Sequence, residues 1–321
     1  MESKPVVCLN SLITAGEPVK VDVTRTWRYS EGSPSAGFDI TLRDAEVFLY
    51  VNDAEEEKMT FTTEIGDYSW EIKYYYEAKY IPKSGDRLKI KAFDKTYGEA
   101  TAEVTVPYPV EIDGFETRIT KNDYTFDPES KTFNSVFDMI LRISFTDPES
   151  IINYYIFDMQ TRKFLRLPSV DNEPMRTVES VGITPDYGFE PIFSEHISPL
   201  ETIITDAYGL YTVFSDRQIS GKQYSLEIPI SGQYFCDYGI HPQPDDKLSI
   251  EVDLGHISTA YYNYMLSLWA ATEGISGALG DVGLGDAVFE FSNVSTGAGI
   301  VATKANSTIK LNFYDILTHN Q

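Results

Sequence analysis

Val19, Val21 and Val23 alternate with Lys20, Asp22 and Thr24 near the start of this chain. A period of two sends successive side chains to opposite faces, so the run reads as a strand with one buried side. Comparable runs recur at short intervals: Val6 to Leu9 ahead of it, then Ala45 to Val51, Met59 to Ile65, Tyr68 to Tyr76, Leu88 to Phe93 and Ala100 to Val106. Between them, Glu31 to Gly37 and Pro82-Lys83-Ser84-Gly85-Asp86 hold the Gly, Pro and Ser that tight turns require. Strand-like runs at this density predict a β-sandwich of immunoglobulin or transthyretin type over residues 1–107.

Pro107-Tyr108-Pro109 breaks the pattern, because proline donates nothing to a strand ladder and restricts the residue before it. The domain boundary is expected there, with 108–321 forming a second, mainly β domain. Its strand signals are Ile112 to Thr120, Ser135 to Phe145, Tyr154 to Phe157, Phe164 to Leu167, Leu210 to Phe214, Gln223 to Ile230, Leu248 to Leu254, Ala287 to Ser292, Gly299 to Thr303 and Thr308 to Phe313. One segment has helical spacing instead. Tyr262, Met265, Leu266 and Trp269 recur at i, i+3, i+4 and i+7, Ser258 stands where an N-cap belongs, and Gly274 follows as a stop. A helix over 259–273 is expected, with its apolar stripe laid on a sheet. Ser169 to Ser198 and the glycine-rich Gly274 to Gly285 read as long loops.

Charge narrows the function. With 49 acidic against 26 basic residues the net charge is −23, which phosphate backbones and anionic lipids repel. Nucleic-acid binding is therefore disfavoured. No run approaches the apolar length of a membrane helix, and Met1-Glu2-Ser3-Lys4-Pro5 has no leader character, so the chain reads as soluble and without an export signal; a trimmed form would have lost one. Cys8 and Cys236 are the two cysteines, too few for a disulfide scaffold. They read as separate thiols, a single bridge between the halves being the alternative.

Catalytic signatures are sparse. His196, His241, His256 and His319 show no zinc spacing, and neither a G-x-S-x-G elbow nor H-E-x-x-H occurs. Gly297-Ala298-Gly299 lies between strands without the helix a phosphate cradle needs. No cofactor is expected. Among acidic clusters, Asp53 with Glu55 to Glu57 reads as a solvated hairpin tip and Asp245-Asp246 as surface. Asp281 and Asp286, in the glycine-rich loop, form the calcium candidate. The densest aromatic run is Trp70, Tyr74, Tyr75, Tyr76 and Tyr80. Alternation sends Tyr74 and Tyr76 to one face and Tyr75 to the other, and exposed rings of this kind suit a ligand or partner surface, a sandwich core being the plainer reading.

Five stretches, in order along the chain, resemble the DUF4249 family of Bacteroidetes envelope lipoproteins. Pro5 to Leu12 followed by Val19 to Thr26 is similar to its opening strands, and Asp44 to Tyr50 to the next. Ala102-Glu103-Val104-Thr105-Val106-Pro107 resembles the close of its first domain. Asn153-Tyr154-Tyr155 after Asp147-Pro148 looks like its D-P…N-Y-Y segment, and Ser292 to Ile300 like its S-N…G-x-G-I turn. The resemblance implies a secreted precursor tethered to the outer membrane through a lipid-bearing cysteine. Cys8 has no apolar leader before it and does not fill that role, so the anchor and signal are missing from this chain. The family brings no catalytic residues.

The resulting expectation is a non-catalytic cell-surface lipoprotein that binds a ligand or partner, as an accessory to an outer-membrane β-barrel transporter or through a surface glycan or peptide. Cell adhesion, a hydrolase using acidic loop residues, and a structural spacer are the alternatives. Contacts are expected in the Ser169–Ser198 and Gly274–Gly285 loops, where rigid sandwiches carry function.

Overall fold

The computed structural model describes residues 4–27, 39–65, 72–127, 129, 132–149, 152–162, 180–195, 212–236, 249–272 and 290–312. The protein is mainly β with sandwich-like layering and one described α-helix. The chain divides into two compact units: Met1–Pro109 with His256–Asn306, and Val110–Gly255 with Ser307–Gln321.

The first unit holds β1 (Val7–Thr14), β2 (Lys20–Arg25), β3 (Glu46–Val51), β4 (Ala54–Lys58), β5 (Thr60–Ile65), β6 (Ile72–Glu77), β7 (Arg87–Asp94) and β8 (Gly98–Thr105). It also holds helix α1 (Thr259–Thr272) and the first part of β16 (Ala298–Asn312). In one sheet the strands of this unit pair in the order β16-β1-β2-β6-β5, and a second sheet runs β4-β3-β7-β8. Alternation decides what faces inward: Val7, Leu9 and Ile13 of β1, Val21 and Val23 of β2, Val47 and Leu49 of β3, and Leu88 and Ile90 of β7 are all buried in one core. The opposite face of the second sheet is laced by ion pairs, Lys89 to Glu103 at 2.8 Å and Lys91 to Glu99 at 2.9 Å, and is left to water. Asn52 and Asp53 both take positive φ, 52° and 69°, and close the tight β3–β4 turn. Asp53 pairs with Arg87 of β7, and the acidic run itself forms β4, the second strand of the hairpin.

The second unit holds β9 (Ile112–Asp127), β10 (Thr132–Thr146), β11 (Tyr154–Arg162), β12 (Ser180–Pro185), β13 (Val213–Ser215), β14 (Gln223–Cys236), most of β15 (Ser249–Ile257) and the end of β16. One sheet runs β12-β14-β10-β9, and in the other layer the strands of this unit pair in the order β13-β11-β15-β16. Its core is richer in aromatics: Phe137, Phe145, Tyr155, Phe157, Phe193 and Phe214 are essentially sealed from solvent.

Two sequence expectations need correction. Residues 108–321 are not one C-terminal domain: the chain leaves the first unit after Pro109 and returns to it from His256 to Asn306. The cause is a non-local pairing. Strand β16 lies parallel to β1, from Cys8 opposite Ala298 to Thr14 opposite Lys304, and no local periodicity announces a partner near the other end of the chain. Second, Ser169 to Ser198 is not uniformly loop. Its described part contains β12, paired with β14, and 3₁₀ turns at Tyr187–Phe189 and Pro191–Ser194 that bury Ile192 and Phe193. The expected strand at 164–167, the loop 274–285 and residues 287–289 of the strand expected over Ala287 to Ser292 lie outside the described residues, and residues 290–292, the described part of that run, are not strand.

Candidate functional site

Strand alternation in the first unit leaves β1, β2 and β16 with a second face, away from the core. The parallel register sets Cys8 beside Ala298, Asn10 beside Ile300 and Leu12 beside Ala302. On the other side of β1, the antiparallel register sets Asn10 beside Asp22. These side chains form the floor of a cleft of about 670 Å³. Tyr261, Tyr264 and Met265 of α1 form one wall and Glu290, Phe291 and Ser292 another. The volume suits a small ligand, and the lining is mostly apolar with a few polar groups.

The walls are pinned. Ser258 caps α1, its Oγ accepting from the Tyr261 N–H at 3.4 Å, and the same Oγ accepts from the Thr303 N–H of β16 at 3.2 Å. The Ser258 N–H in turn donates to the Thr303 carbonyl at 2.9 Å. Helix α1 carries no charged residue, and Tyr262 and Trp269 are its buried anchors. Phe291 N–H donates to Ser267 Oγ at 2.7 Å, which ties the second wall to the helix. Ser292 Oγ donates to the Gly299 carbonyl at 2.7 Å, and Asn293 exchanges two bonds with Val301, 2.8 and 3.0 Å, which tie that wall to β16.

Burial raises the pKa of the Cys8 thiol, and its contacts with Thr24 and Asn10 only partly counter this, so the thiol stays protonated at neutral pH and is a weak nucleophile. Cys8 is free of any disulfide. Ser292 gives its proton to a backbone carbonyl, as does Ser11, to Lys20 O. Among the described lining residues there is no histidine, lysine or arginine to activate a nucleophile. Asp22 keeps contact with solvent, yet the water it loses at the floor raises its carboxyl pKa.

The aromatic run is distributed differently from a single exposed face. Tyr76 is buried in the core, its hydroxyl donating to the Leu42 carbonyl at 2.7 Å and its ring edge-on to Phe61 at 5.3 Å. Tyr74 lies on the same side, stacked on Phe61 at 6.2 Å with the Arg43 guanidinium 4.4 Å above it. Tyr75 points the other way and is also buried, under the Lys20 ammonium at 4.5 Å and donating to Glu64 at 2.8 Å. Tyr80 donates to Asp86 at 2.7 Å. The expected alternation of faces is present, but the exposed aromatic surface is not formed by Tyr75 and Tyr76, because each ring is covered by its own neighbours. Trp70, Asp281 and Asp286 lie outside the described residues. Among the described residues, no group of three or more His, Cys, Asp or Glu is placed to hold a metal.

In the second unit, Asp147 and Asn153 serve a different end. Both are buried with Asp216. Asn153 Nδ2 donates to Asp147 at 3.2 Å and to Asp216 at 3.2 Å, its N–H donates to Asp216 at 2.9 Å, and Tyr155 donates its hydroxyl to Asp147. This network clasps the segment before β11 to the turn before β14, where the Gly221 N–H also reaches Asp147 at 3.0 Å.

The cleft residues escaped sequence reading because its signals concern burial. Leu12, apolar on the otherwise mixed face of Cys8, Asn10 and Thr14, was the available sign: it stays 46% exposed.

The model of a family described as a domain of unknown function, DUF4249, matches residues 1–310. No curated protein matches the chain. Among solved structures it is similar to a protein of Corynebacterium diphtheriae described as membrane anchored, at 11% identity over 80% of this chain, with a TM-score of 0.21. The chain spans about half of that protein, 55% of its length. No helix among the described residues is long and apolar enough to cross a membrane.

Proposed function

The chain belongs to the DUF4249 family, whose model spans residues 1–310, and from that premise we propose that it is a non-catalytic binding protein of the cell envelope, taking a small ligand into the cleft between α1 and the β1–β16 floor. The observation that supports this reading is the cleft itself: about 670 Å³, mostly apolar, with both walls hydrogen-bonded to the sheet that makes the floor. Preorganised walls cost a ligand little ordering on entry. The lining favours binding over catalysis, since its thiol is kept protonated and Ser11 and Ser292 give their protons to backbone carbonyls.

The envelope setting rests on the family resemblance, as does a place beside an outer-membrane transporter; recovery of a β-barrel partner by crosslinking in native membranes tests the latter. For the cleft, thermal-shift screening of a small-molecule collection against the wild type and Ile300→Trp is decisive. Ile300 sits on the cleft side of β16, so the indole fills the cleft without entering the core. Ligands should raise the melting temperature of the wild type and lose that effect in the variant. Ligands that stabilise both proteins equally bind elsewhere, and the cleft then has no part in the function.

A further inference from the structure

We infer that the cleft selects ligands joining an apolar or aromatic body to a cationic head, an inference that rests on the binding role proposed above. Two observations carry it. The charged side chains lining the cleft are Asp22 and Glu290, both acidic, with no described cation among them. The apolar surface around them includes the rings of Tyr261, Tyr264 and Phe291, whose faces favour cations.

The neighbouring cations do not neutralise this field. Lys20 is two residues from Asp22 on the same face of β2, but its ammonium lies over Tyr75 and pairs with Glu64 at 3.2 Å. Lys304 lies one step beyond Ala302 on β16, opposite Thr14, outside the lining. A carboxylate or phosphate entering the cleft would lose water and meet only like charge. An ammonium would exchange that water for Asp22, a partly desolvated carboxylate whose own charged form it would stabilise. Chain-wide negative charge attracts any cation weakly, so the distinguishing feature is dependence on this one carboxylate.

A matched series tests the inference: 4-phenylbutylamine, 4-phenylbutanol and 4-phenylbutanoate, titrated calorimetrically against the full chain at physiological ionic strength. The amine should bind at least tenfold more tightly than the butanoate, with the alcohol between. Asp22→Asn should remove most of the preference for the amine and leave the alcohol's affinity within about twofold. Asp123→Asn, on β9 of the other unit, should leave the series unchanged. Equal binding of all three, tighter binding of the butanoate, or equal effects of the two substitutions overturns the head-group inference and leaves the cleft a neutral binding site. Failure of all three to bind the wild type overturns this inference and counts against the binding role itself.

Discussion

Gly299 of β16 stands directly beside Leu9 of β1, with φ at +101°, so that a Cβ on Gly299 would collide with the Leu9 carbonyl. The same Cβ would come within 2.8 Å of Asn10 Oδ1 and 2.9 Å of Cys8 Sγ. Asn10 Oδ1 also accepts from the Ile300 N–H at 3.3 Å. Absence of a side chain at Gly299 is therefore what lets two distant strands lie together as the floor of the cleft. The G-x-G-I turn, unsuited to phosphate, finds its physical role here.

Gly299→Ala should destabilise the protein by about 3 kcal/mol, adding a backbone clash to the cost of a left-handed conformation. Gly98→Ala supplies the control. Gly98 has φ at +90° but open space around its Cβ position, so it should cost about 1 kcal/mol. Urea denaturation of both variants separates collision from strain; equal losses would contradict the close approach.

Ser258→Ala removes an oxygen that accepts from both Tyr261 and Thr303. A loss of about 1–2 kcal/mol is expected, larger than an isolated cap would give, because a β16 N–H is stranded as well. Since α1 forms a cleft wall, affinity for any cleft ligand should fall with it. Hydrogen exchange should speed up at the helix start and at Thr303 together. Acceleration confined to the helix would separate the cap from the sheet.

The Asp147–Asn153–Asp216 clasp predicts an unusual dependence on pH. Burial raises the Asp216 carboxyl, backbone and side-chain bonds from Asn153 oppose this, and Asp147 adds to the rise. Its folded pKa thus lies above the unfolded one, and the folded state binds more protons in the interval between them. This residue's contribution is full below the ordinary aspartate value and is lost as pH rises through the raised one. The stability difference between Asp216→Asn and wild type should therefore move in the variant's favour as pH rises across that window. Denaturation at a series of pH values reads it, and a parallel pair of curves would refute the assignment. Asn153→Ala, which leaves two buried carboxylates without their shared amide, should cost about 3 kcal/mol at neutral pH.

Asp86 has the opposite sign. Burial alone would raise its carboxyl, but the Lys83 N–H at 2.8 Å, the Tyr80 hydroxyl at 2.7 Å and Asn52 Nδ2 at 3.1 Å outweigh it and hold the pKa below the usual aspartate range. Stability from this group is present above the ordinary value and lost as pH falls through the depressed one. Tyr80→Phe should cost about 1 kcal/mol at neutral pH. That deficit should close on acidification, as the carboxylate whose bond was removed becomes protonated. A deficit independent of pH would assign Tyr80 to packing instead.

Alternation along β1, β2, β3 and β7, the i, i+3, i+4, i+7 spacing of α1 and the Ser258 cap are properties of neighbouring residues, and the sequence alone determined them; the mainly β sandwich-like fold and the helix followed. The described helix, Thr259–Thr272, starts where the cap predicts and lies within the expected 259–273. Strand β4 was hidden because Glu55 to Glu57 has the composition of a solvated tip, and pairing with β3 overrides that preference. Which tyrosine of the Tyr74–Tyr76 run would be covered was also out of reach, since Arg43, Lys20 and Phe61 reach those rings only after folding. Tertiary structure alone decided that residues 256–306 rejoin the first unit, that Ala298 lies against Cys8, and that α1 and Phe291 wall a cleft over them. The reason is physical: side-chain period encodes which face of an element is buried, whereas the partner across a sheet is selected by backbone hydrogen bonding and close approach between segments far apart in the chain.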